Sequence, residues 1–434
     1  MRPAPRQLQI FGLLLALGTM LVLLPNLLVP WLLCAAVLAG LSLGDAFLLW
    51  RRRTVRAERN VNPSLALGVT RAVGLRFFNE DEKPLSVEVY DHHPATVNTS
   101  ALPLALSVAP GHWQEASYDI TPLERGRHEF GPIDLRVHSP LRFWSRRCLL
   151  EADETVSVFP NFAAVTKYAI LGLDAQTATG GLQLRPRRGE GSEFHQLREY
   201  RVGDTFRQID WKASARLSKL IAKEYQEERD QQIVFMVDTG RRMLAREDGL
   251  SHFDHVLNSM LLLSYVALRQ GDAVGFMTCG SSTRWMKPRK GLSTMSTLTR
   301  QLFDLQPEEL AVDYQAAATQ LAQYQKRRAL IVLLTNIRDE DSDDLKVAFG
   351  LLRKRHVLLV ASLREPGVDD LLENDVIDFD GARDFASAHH YLAARRSTLD
   401  RLRARGVVIE DTSCAELPRA IANRYLDIKR AGVL

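Results

Sequence analysis

The chain has 434 residues, enough for two or three packed domains. It is 46% hydrophobic and 25% charged, which excludes a wholly disordered protein. The net charge of +4 is small and the basic residues alternate with acidic ones, which argues against a nucleic-acid-binding groove. The four cysteines form no Cys-x-x-Cys pair, so reduced free thiols are predicted rather than a disulfide or metal framework.

Two long apolar stretches, residues 8–24 and 27–50, lie near the N-terminus. As helices rising about 1.5 Å per residue, each spans most of a bilayer's hydrocarbon core. A signal peptide is disfavoured, because the first stretch is too long, no small-x-small cleavage site follows it, and the second stretch begins at once. Residues 1–52 are therefore predicted to form an antiparallel transmembrane hairpin.

Arginines on both sides of this hairpin predict its orientation. Arg2 and Arg6 precede it, and the turn between the two stretches carries no cation. The arginines that follow are Arg51, Arg52, Arg53, Arg56 and Arg59. The positive-inside rule then places both termini and all soluble domains in the cytoplasm. Asp45, inside the second stretch, is predicted to snorkel or to serve helix packing.

Residues 60–160 have the pattern of a small β domain. Apolar residues alternate with polar ones over 65–69, 73–77, 85–89 and 156–159, as in half-buried strands. Clusters of turn-forming residues at 79–84 and 109–111 separate these segments. Several short strands at this spacing predict a β-sandwich.

A dense polar block from Arg187 to Arg216 follows, within a predicted linker and signature segment of residues 161–230. Its charges recur every two or three residues without a single helical period, so an ordered but largely irregular segment is predicted. Ion pairs and buried rings are expected to hold it together. The rings and the apolar residue among them are Phe194, Tyr200, Phe206, Ile209 and Trp211.

The same block contains potential acid and base groups, which are Glu193, His195, Glu199, Asp204 and Asp210. Each carboxylate has an arginine or lysine nearby, and paired carboxylates with a lowered pKa make poor general acids. The chain has no phosphate-binding Gly-x-x-x-x-Gly-Lys-Ser/Thr loop, no Gly-x-Ser-x-Gly elbow and no His-Glu-x-x-His. We therefore predict no enzymatic activity, with a hydrolase built on this block as an alternative.

Residues 231–434 alternate between strand and helix patterns. Strands are predicted at 233–237, 273–278, 329–335, 356–362 and 406–410. Helices are predicted at 253–269, 292–303, 314–327, 342–355, 385–405 and 415–429. This order predicts a Rossmann-like parallel sheet covered on both faces. Ligands bind such sheets at the carboxyl ends of the strands, which here carry residues 238–242 and 335–340.

The order of these parts resembles a bacterial membrane family called domain of unknown function 58, whose C-terminal domain is von Willebrand factor type A-like. The resemblance rests on a run of signature residues. They are Glu193, Arg198, Tyr200, Gly203, Asp204, Arg207, Asp210, Trp211, Lys212 and Arg216. It implies an inner-membrane location and a partnership with AAA+ ATPases of the MoxR type in assembling or maturing complexes.

The resemblance also raises the question of a metal site. Type A domains often bind Mg²⁺ through an Asp-x-Ser-x-Ser loop, a threonine of a second loop and an aspartate of a third. Only Asp238 of that set remains, because residues 311–313 offer no threonine. The other expected ligand positions hold Gly240, Arg242 and Asn336. Each change removes a hard oxygen or adds a cation, so no metal cofactor is predicted. A weaker site joining Asp238 to Asp339 or Asp341 stays open.

The sequence therefore predicts a membrane-anchored cytoplasmic adaptor for protein–protein interaction, with a MoxR-type ATPase as its partner. The rim of the C-terminal sheet is predicted to be a docking surface with salt-bridged arginines, and Asp238 could pair with Arg242 or with an arginine of the charged block. Whether Arg242 faces the strand ends stays open. The charged block either clamps the domains together or binds the partner directly. The alternatives are a metal-dependent ligand-binding type A domain and the hydrolase described above.

Overall fold

The computed structural model describes residues 1–20, 25–52, 55–161, 193–201, 206–226, 231–373 and 375–433. The chain divides into two compact units, Met1–Phe159 and Pro160–Leu434. The apolar N-terminal helices therefore share a unit with the β-rich segment, and the signature segment shares one with the α/β segment. The finer division at residues 52, 60, 160 and 230 stays a prediction.

The first unit begins with two helices, α1 (Pro5–Met20) and α2 (Leu28–Trp50). With 23 residues of apolar composition and little burial, α2 is long and apolar enough to cross a membrane. The two helices touch where the Trp31 indole nitrogen donates a hydrogen bond of 3.0 Å to the carbonyl oxygen of Leu14. A hairpin of two membrane spans stays a prediction.

Twelve strands are described in the first unit, and they form three sheets. They are β1 (Arg2–Pro3), β2 (Arg56–Asn60), β3 (Ser64–Ala66), β4 (Arg71–Phe78), β5 (Leu85–Asp91), β6 (Val97–Thr99), β7 (Leu104–Val108), β8 (Trp113–Pro122), β9 (Gly126–Phe130), β10 (Ile133–His138), β11 (Trp144–Leu150) and β12 (Glu154–Phe159). The sheet orders are β1-β11-β10-β5-β7, β2-β4-β8-β6 and β3-β12-β9. The predicted alternation is confirmed in β4, where Val73, Leu75 and Phe77 are fully buried.

The C-terminal half of α2 packs against this β domain, which corrects the prediction for Asp45. Asp45 is buried and accepts a hydrogen bond from the Ser139 hydroxyl. It also accepts bonds from the backbone N–H groups of Leu141 (3.0 Å) and Phe143 (3.2 Å). The carboxylate therefore caps the turn between β10 and β11 and neither snorkels nor faces a second helix. Arg59 is likewise buried, paired with Asp91, so it belongs to the β core rather than to the flank of the helix.

The second unit is built on a six-stranded sheet in the order β19-β18-β15-β20-β21-β22. Its strands are β15 (Gln232–Asp238), β18 (Ala273–Cys279), β19 (Trp285–Arg289), β20 (Leu330–Thr335), β21 (Val357–Leu363) and β22 (Val408–Thr412). All neighbours pair in parallel except β19, which runs antiparallel to β18 at the edge. The prediction of a wholly parallel sheet is therefore wrong at this edge. Pro288 is tolerated there because an edge strand has one unpaired side.

Helices cover both faces of this sheet. They are α4 (His252–Arg269), α5 (Ser293–Leu302), α6 (Tyr314–Tyr324), α7 (Ser342–Leu352), α8 (Pro366–Glu373), α9 (Phe379–Arg403) and α10 (Leu417–Arg430). Successive residues of β15 belong to two separate hydrophobic cores, one on each face of the sheet. Phe235 lies in the core that contains Phe253, and Met236 lies in the core that contains Phe349. Helix α8 was not predicted, and α9 begins six residues before the predicted start, where Asp378 caps its N-terminus.

The signature segment folds into a strand pair with a helix between its strands. Strands β13 (Glu193–Glu199) and β14 (Ile221–Gln226) pair antiparallel, and helix α3 (Trp211–Leu217) lies between them in the chain. Two further short strands, β16 (Arg246–Glu247) and β17 (Leu250–Ser251), form a hairpin before α4. The expectation of a largely irregular segment is wrong for these residues, because frequent charges hide the strand alternation.

Candidate functional site

Asp238 lies at the carboxyl end of β15, where the predicted ligand-binding edge of the sheet is located. Its side chain is only 2% exposed and is held by three donors. Oδ1 accepts from the backbone N–H of Gly240 at 2.7 Å. Oδ2 accepts from the hydroxyls of Tyr314 (2.9 Å) and Thr335 (2.6 Å). Both carboxylate oxygens are therefore occupied by the protein's own donors.

Burial has a clear electrostatic effect on Asp238. It raises the pKa of this carboxyl above the ordinary value of 3.8, because the charged form loses its hydration. The hydrogen bonds from Thr335, Gly240 and Tyr314, with the nearby charge of Arg242, favour the charged form and oppose this shift. Burial therefore makes the ionised form of Asp238 costly despite its three donors.

Arg242 faces the same strand ends, and its partners differ from the expected Asp238. Its guanidinium pairs with Asp341 and Glu340 and donates to the carbonyl oxygen of Asn336 at 3.1 Å. Pairing with Asp238 is therefore wrong. Asp341 takes both ends of the guanidinium fork, a geometry that suits arginine. A small cleft of about 30 Å³ separates Asp238 from this ion pair.

Asn336, at the position expected for the third metal ligand, is directed away from Asp238. Its amide nitrogen donates to Glu365 at 2.6 Å, and its amide oxygen accepts from Arg395 at 2.8 Å. Arg395 projects from α9, is buried, and also donates to Ser362 (2.8 Å) and Asp411 (2.6 Å). A buried guanidinium thus ties the ends of β20, β21 and β22 to α9.

A third group of polar residues extends this network towards the surface. Glu365 accepts from Arg338 at 2.9 Å and from the Tyr391 hydroxyl at 3.3 Å. The Arg338 guanidinium lies over the ring of Tyr391, with 5.7 Å between its carbon and the ring centroid. We call residues 238–242, 314, 335–341, 362–365, 395 and 411 the carboxyl rim. Its ion pairs include Arg242–Asp341, Arg338–Glu365 and Arg395–Asp411.

This arrangement bears on the possible Mg²⁺ site. A cation at Asp238 would compete with the hydroxyl donors of Tyr314 and Thr335 at Oδ2 and with the backbone N–H of Gly240 at Oδ1. Asp341, the partner in the weaker alternative site, is already bound by Arg242 and by the backbone N–H of Arg338 (3.0 Å). Asp339 lines a separate surface groove with His390 and Tyr391. The rim is therefore arranged as a self-contained hydrogen-bond network.

Within the signature segment, Asp210 has a structural position. Its Oδ1 accepts from the backbone N–H of Ala213 at 3.0 Å, which caps the N-terminus of α3. The buried hydroxyl of Ser214 donates to the carbonyl of Asp210 (2.7 Å) and accepts from the N–H of Ile221 (2.9 Å). Helix α3 is thereby joined to β14. Asp210 also pairs with Lys223 at 3.5 Å.

The aromatic residues of this segment are not buried as predicted. Trp211 is 67% exposed and Phe206 is 77% exposed, while Ile209 is buried. Tyr200 is half-buried and stacks on Phe206 with 6.4 Å between ring centroids. Trp211 stands at the first position of α3. The expectation that the rings of Phe206 and Trp211 are buried is therefore wrong.

Some of the remaining signature residues have described side chains, and the others lie outside the described part of the chain. Lys212 and Arg216 are exposed on α3, and Arg198 donates to the carbonyl of Glu199 at 3.2 Å. Glu199 pairs with Lys219 at 3.0 Å rather than with an arginine of the block. Gly203 and Asp204 lie outside the described residues. The side chains of Glu193, His195 and Arg207 do so as well.

Part of this chain, including most of the signature segment that the structure describes, matches a known protein family. Residues 196–384 match the family described as "Protein of unknown function DUF58". Residues 196–384 are thus similar to a domain of this family. The match begins in β13 and ends in α9, so it includes Asp238 and Arg242 but neither Arg395 nor Asp411.

One curated relative supports the same assignment. The uncharacterized protein YeaD of Bacillus subtilis (strain 168) is 23% identical over 194 residues, which are 43% of this chain and 44% of that protein. The chain thus spans less than half the length of the curated relative that it matches. Function cannot be transferred from it, since that protein is itself uncharacterized.

Similarities to solved structures are weak. An aerotolerance-related membrane protein from Bacteroides fragilis is 16% identical, with a TM-score of 0.25, and the match covers 35% of this chain and 78% of that one. Escherichia coli alpha-2-macroglobulin is 20% identical with a TM-score of 0.19 over 24% of this chain and 9% of that one. Scores this low carry no argument about the fold or the function.

Two residues central to the rim were missed by sequence reasoning. Tyr314 was predicted only as the first residue of a helix. Arg395 was included only as part of the helix predicted at residues 385–405. The first could have been suspected, because Asp313 caps α6 and so places residue 314 beside the strand ends. For Arg395 no local signal exists, since its partners lie 16 to 59 residues away.

Proposed function

We propose that the chain is a membrane-anchored cytoplasmic adaptor that binds a protein partner through its signature segment. The observation that carries this proposal is the exposure of the aromatic side chains of Trp211 and Phe206 on the signature segment. Exposed large aromatic residues are the side chains that most often anchor protein interfaces. A segment built only as a structural clamp would bury them.

The partner that we propose is an AAA+ ATPase of the MoxR type, which rests on the family resemblance. The partner would supply nucleotide hydrolysis. The adaptor itself would perform no catalysis, because the carboxylates of the carboxyl rim are held by hydrogen bonds and ion pairs. The rim would stabilise the domain, with Arg242 closing it where a type A domain would bind its ion.

Membrane anchoring rests on α2 and on the arginines beside it. Helix α2 is long and apolar enough to span a bilayer, and Arg51 and Arg52 follow its last turn directly. The positive-inside rule places this end in the cytoplasm. We therefore infer an inner-membrane location with both soluble units on the cytoplasmic side.

A co-purification experiment tests the adaptor role. The full-length protein is extracted from membranes in detergent and captured with and without a non-hydrolysable ATP analogue, and the bound ATPase is measured by mass spectrometry. We expect the wild type to recover a MoxR-type ATPase and Trp211→Ala to recover at least tenfold less. The matched control is Trp113→Ala, since Trp113 is a 57% exposed tryptophan of the β domain.

Two results would contradict the proposal. The first is that no ATPase is recovered with the wild type in either nucleotide condition. The second is that Trp211→Ala and Trp113→Ala recover equal amounts, because the signature segment would then not be the docking surface. Circular dichroism of each variant shows whether a loss of binding reflects unfolding.

A further inference from the structure

A buried group of three potential metal ligands lies in the second unit, outside the residues discussed so far. It consists of Glu247 of β16, His252 at the first position of α4, and Cys414 just beyond β22. One ligand atom of each residue lies within 4.8 Å of the other two. His252 and Cys414 are buried, and the Glu247 side chain is 18% exposed. Three separate parts of the chain therefore converge on one point.

The backbone positions the first two residues independently of any bond between their side chains. The β16–β17 hairpin turns through Asp248 (φ 51°) and Gly249 (φ 79°), the left-handed pair typical of a tight hairpin turn. Ser251 and Asp254 then form a capping box that starts α4. The backbone N–H of His252 donates to the carbonyl of Ala245 at 2.7 Å. Glu247 and His252 are thereby held on the same side of the hairpin.

Two polar atoms of this group have no hydrogen-bond partner among the residues that the structure describes. They are Oε2 of Glu247 and Nδ1 of His252, and both are buried. Leaving such an atom unpaired is unfavourable, because it has lost its hydration without gaining a partner. Oε2 of Glu247 is 3.8 Å from Nε2 of His252, which is too long for a hydrogen bond. The group thus combines three potential metal ligands with two buried polar atoms that lack a hydrogen-bond partner.

We propose that Glu247, His252 and Cys414 bind a divalent ion of the zinc class. Carboxylate oxygen, imidazole nitrogen and thiolate sulfur are all zinc ligands, and the thiolate disfavours Mg²⁺. Tetrahedral zinc with bonds of about 2.0–2.3 Å places its ligand atoms roughly 3.3–3.8 Å apart. The three ligand atoms, which lie within 4.8 Å of one another, would have to approach by up to about 1 Å to reach that spacing.

The pKa shifts of the two buried ligands act on metal binding in opposite directions, since a neutral imidazole favours coordination and a protonated thiol opposes it. Burial lowers the pKa of His252, which leaves the imidazole neutral and able to coordinate. Burial also raises the pKa of the Cys414 thiol, and hydrogen bonding to Glu247 raises it further. Binding of the ion would release the thiol proton to solvent. Water would take the fourth position, reached from the partly exposed side of Glu247.

The bound ion would join the β16–β17 hairpin and the start of α4 to the segment that follows β22. This site is independent of the proposed adaptor function. If no metal binds, the proposed docking surface at Trp211 is unaffected. If the docking surface is wrong, the proposed metal site is unaffected.

Metal titration of the full-length protein in detergent tests the site. The protein, without an affinity tag rich in histidine, is stripped with a chelator and titrated with Zn²⁺ against a chromophoric competitor, and separately with Co²⁺. We expect one equivalent of Zn²⁺ and a thiolate-to-cobalt charge-transfer band. Cys414→Ser should abolish the band and weaken Zn²⁺ binding at least tenfold. The matched control is Cys279→Ser, since Cys279 is buried to the same 1% exposure.

The wild-type titration can overturn the proposal without any substitution. Absence of Zn²⁺ binding, or Co²⁺ binding without a thiolate band, would do so. An unchanged band in Cys414→Ser would do so as well. If that variant does not fold, replacing Cys34, Cys148 and Cys279 by serine leaves Cys414 as the remaining thiol. The band must then persist, and its loss would contradict the assignment.

Discussion

The carboxyl rim and the signature segment are both rich in charged residues, but they differ in what they bury. At the rim, Asp238 and Arg395 are buried, and each is held by a neighbouring side chain: Asp238 accepts a hydrogen bond from Thr335, and Arg395 pairs with Asp411. In the signature segment, charges such as those of Lys212 and Arg216 lie outside, and so do the rings of Phe206 and Trp211. Charge density alone therefore does not distinguish a structural network from a surface available for contact.

The difference has an energetic basis. A buried charge must keep its partners, because removing one leaves the other unsolvated and costs several kcal/mol. An exposed ion pair contributes little, since water and salt replace the partner. Substitutions at the rim should therefore change stability, whereas substitutions of exposed side chains in the signature segment should change binding.

The largest effect is expected for Arg395→Ala. It leaves Asp411, Asn336 and Ser362 without their shared donor, so we expect a loss of about 3–5 kcal/mol in the free energy of unfolding. Denaturant unfolding followed by circular dichroism measures it. The control is Arg403→Ala on the same helix, whose exposed pair with Asp400 should contribute less than about 1 kcal/mol. Equal losses in the two variants would contradict the distinction.

A smaller loss is expected for Tyr314→Phe. The change removes the hydroxyl that donates to Asp238, and we expect a cost of about 1–3 kcal/mol in the free energy of unfolding. Tyr324→Phe, at the exposed C-terminal end of the same helix, serves as the control and should be near neutral. A neutral Tyr314→Phe would show that Asp238 does not depend on this donor.

The pH dependence of stability tests the burial of Asp238. Because its pKa is higher in the folded protein than the unfolded value of 3.8, the folded state favours the protonated form. The stability gained from protonation is complete below pH 3.8 and is lost as pH rises through the folded pKa. Relative to Asp238→Asn, the wild type should therefore lose stability as pH rises from about 4. A difference that is independent of pH would show that the charge is not desolvated.

The smallest effect on stability is expected for Trp211→Ala. Because the side chain is exposed, the free energy of unfolding should change by no more than about 0.5 kcal/mol. The same denaturant unfolding measures it. A loss of 2 kcal/mol or more would show that the ring is structural and would remove the contrast with the rim.

Much of the second unit could be predicted from the sequence. Strands such as β15 and β20 are continuous runs of buried apolar residues between helical patterns, and their predicted positions are confirmed within one or two residues. The edge strand β19 was missed, because its sequence Trp-Met-Lys-Pro-Arg contains a proline and two charges. It pairs on one side, so its pattern carries little information about burial.

The site was less predictable than the fold. Asp238 and Arg242 were correctly placed at the strand ends, because parallel strands bring their carboxyl ends to one edge. Their partners could not be predicted, since Tyr314 and Arg395 reach them through contacts distant in sequence. The exposure of Trp211 was also unpredictable, because aromatic residues in a charged block can face either direction. The position of α3 depends on the cap at Asp210 and on the hydrogen bond that joins Ser214 to β14.

The buried position of Asp45 determines how motion could pass between α2 and the β domain. This carboxylate is hydrogen-bonded to the β10–β11 turn. We therefore expect the last turns of α2 and the β domain to move as one rigid body. About fourteen residues, 28–41, precede the contact and rise roughly 21 Å as a helix. Because this length is less than the roughly 30 Å of a hydrocarbon core, the β10–β11 turn would be held close against the membrane with α2 in a bilayer.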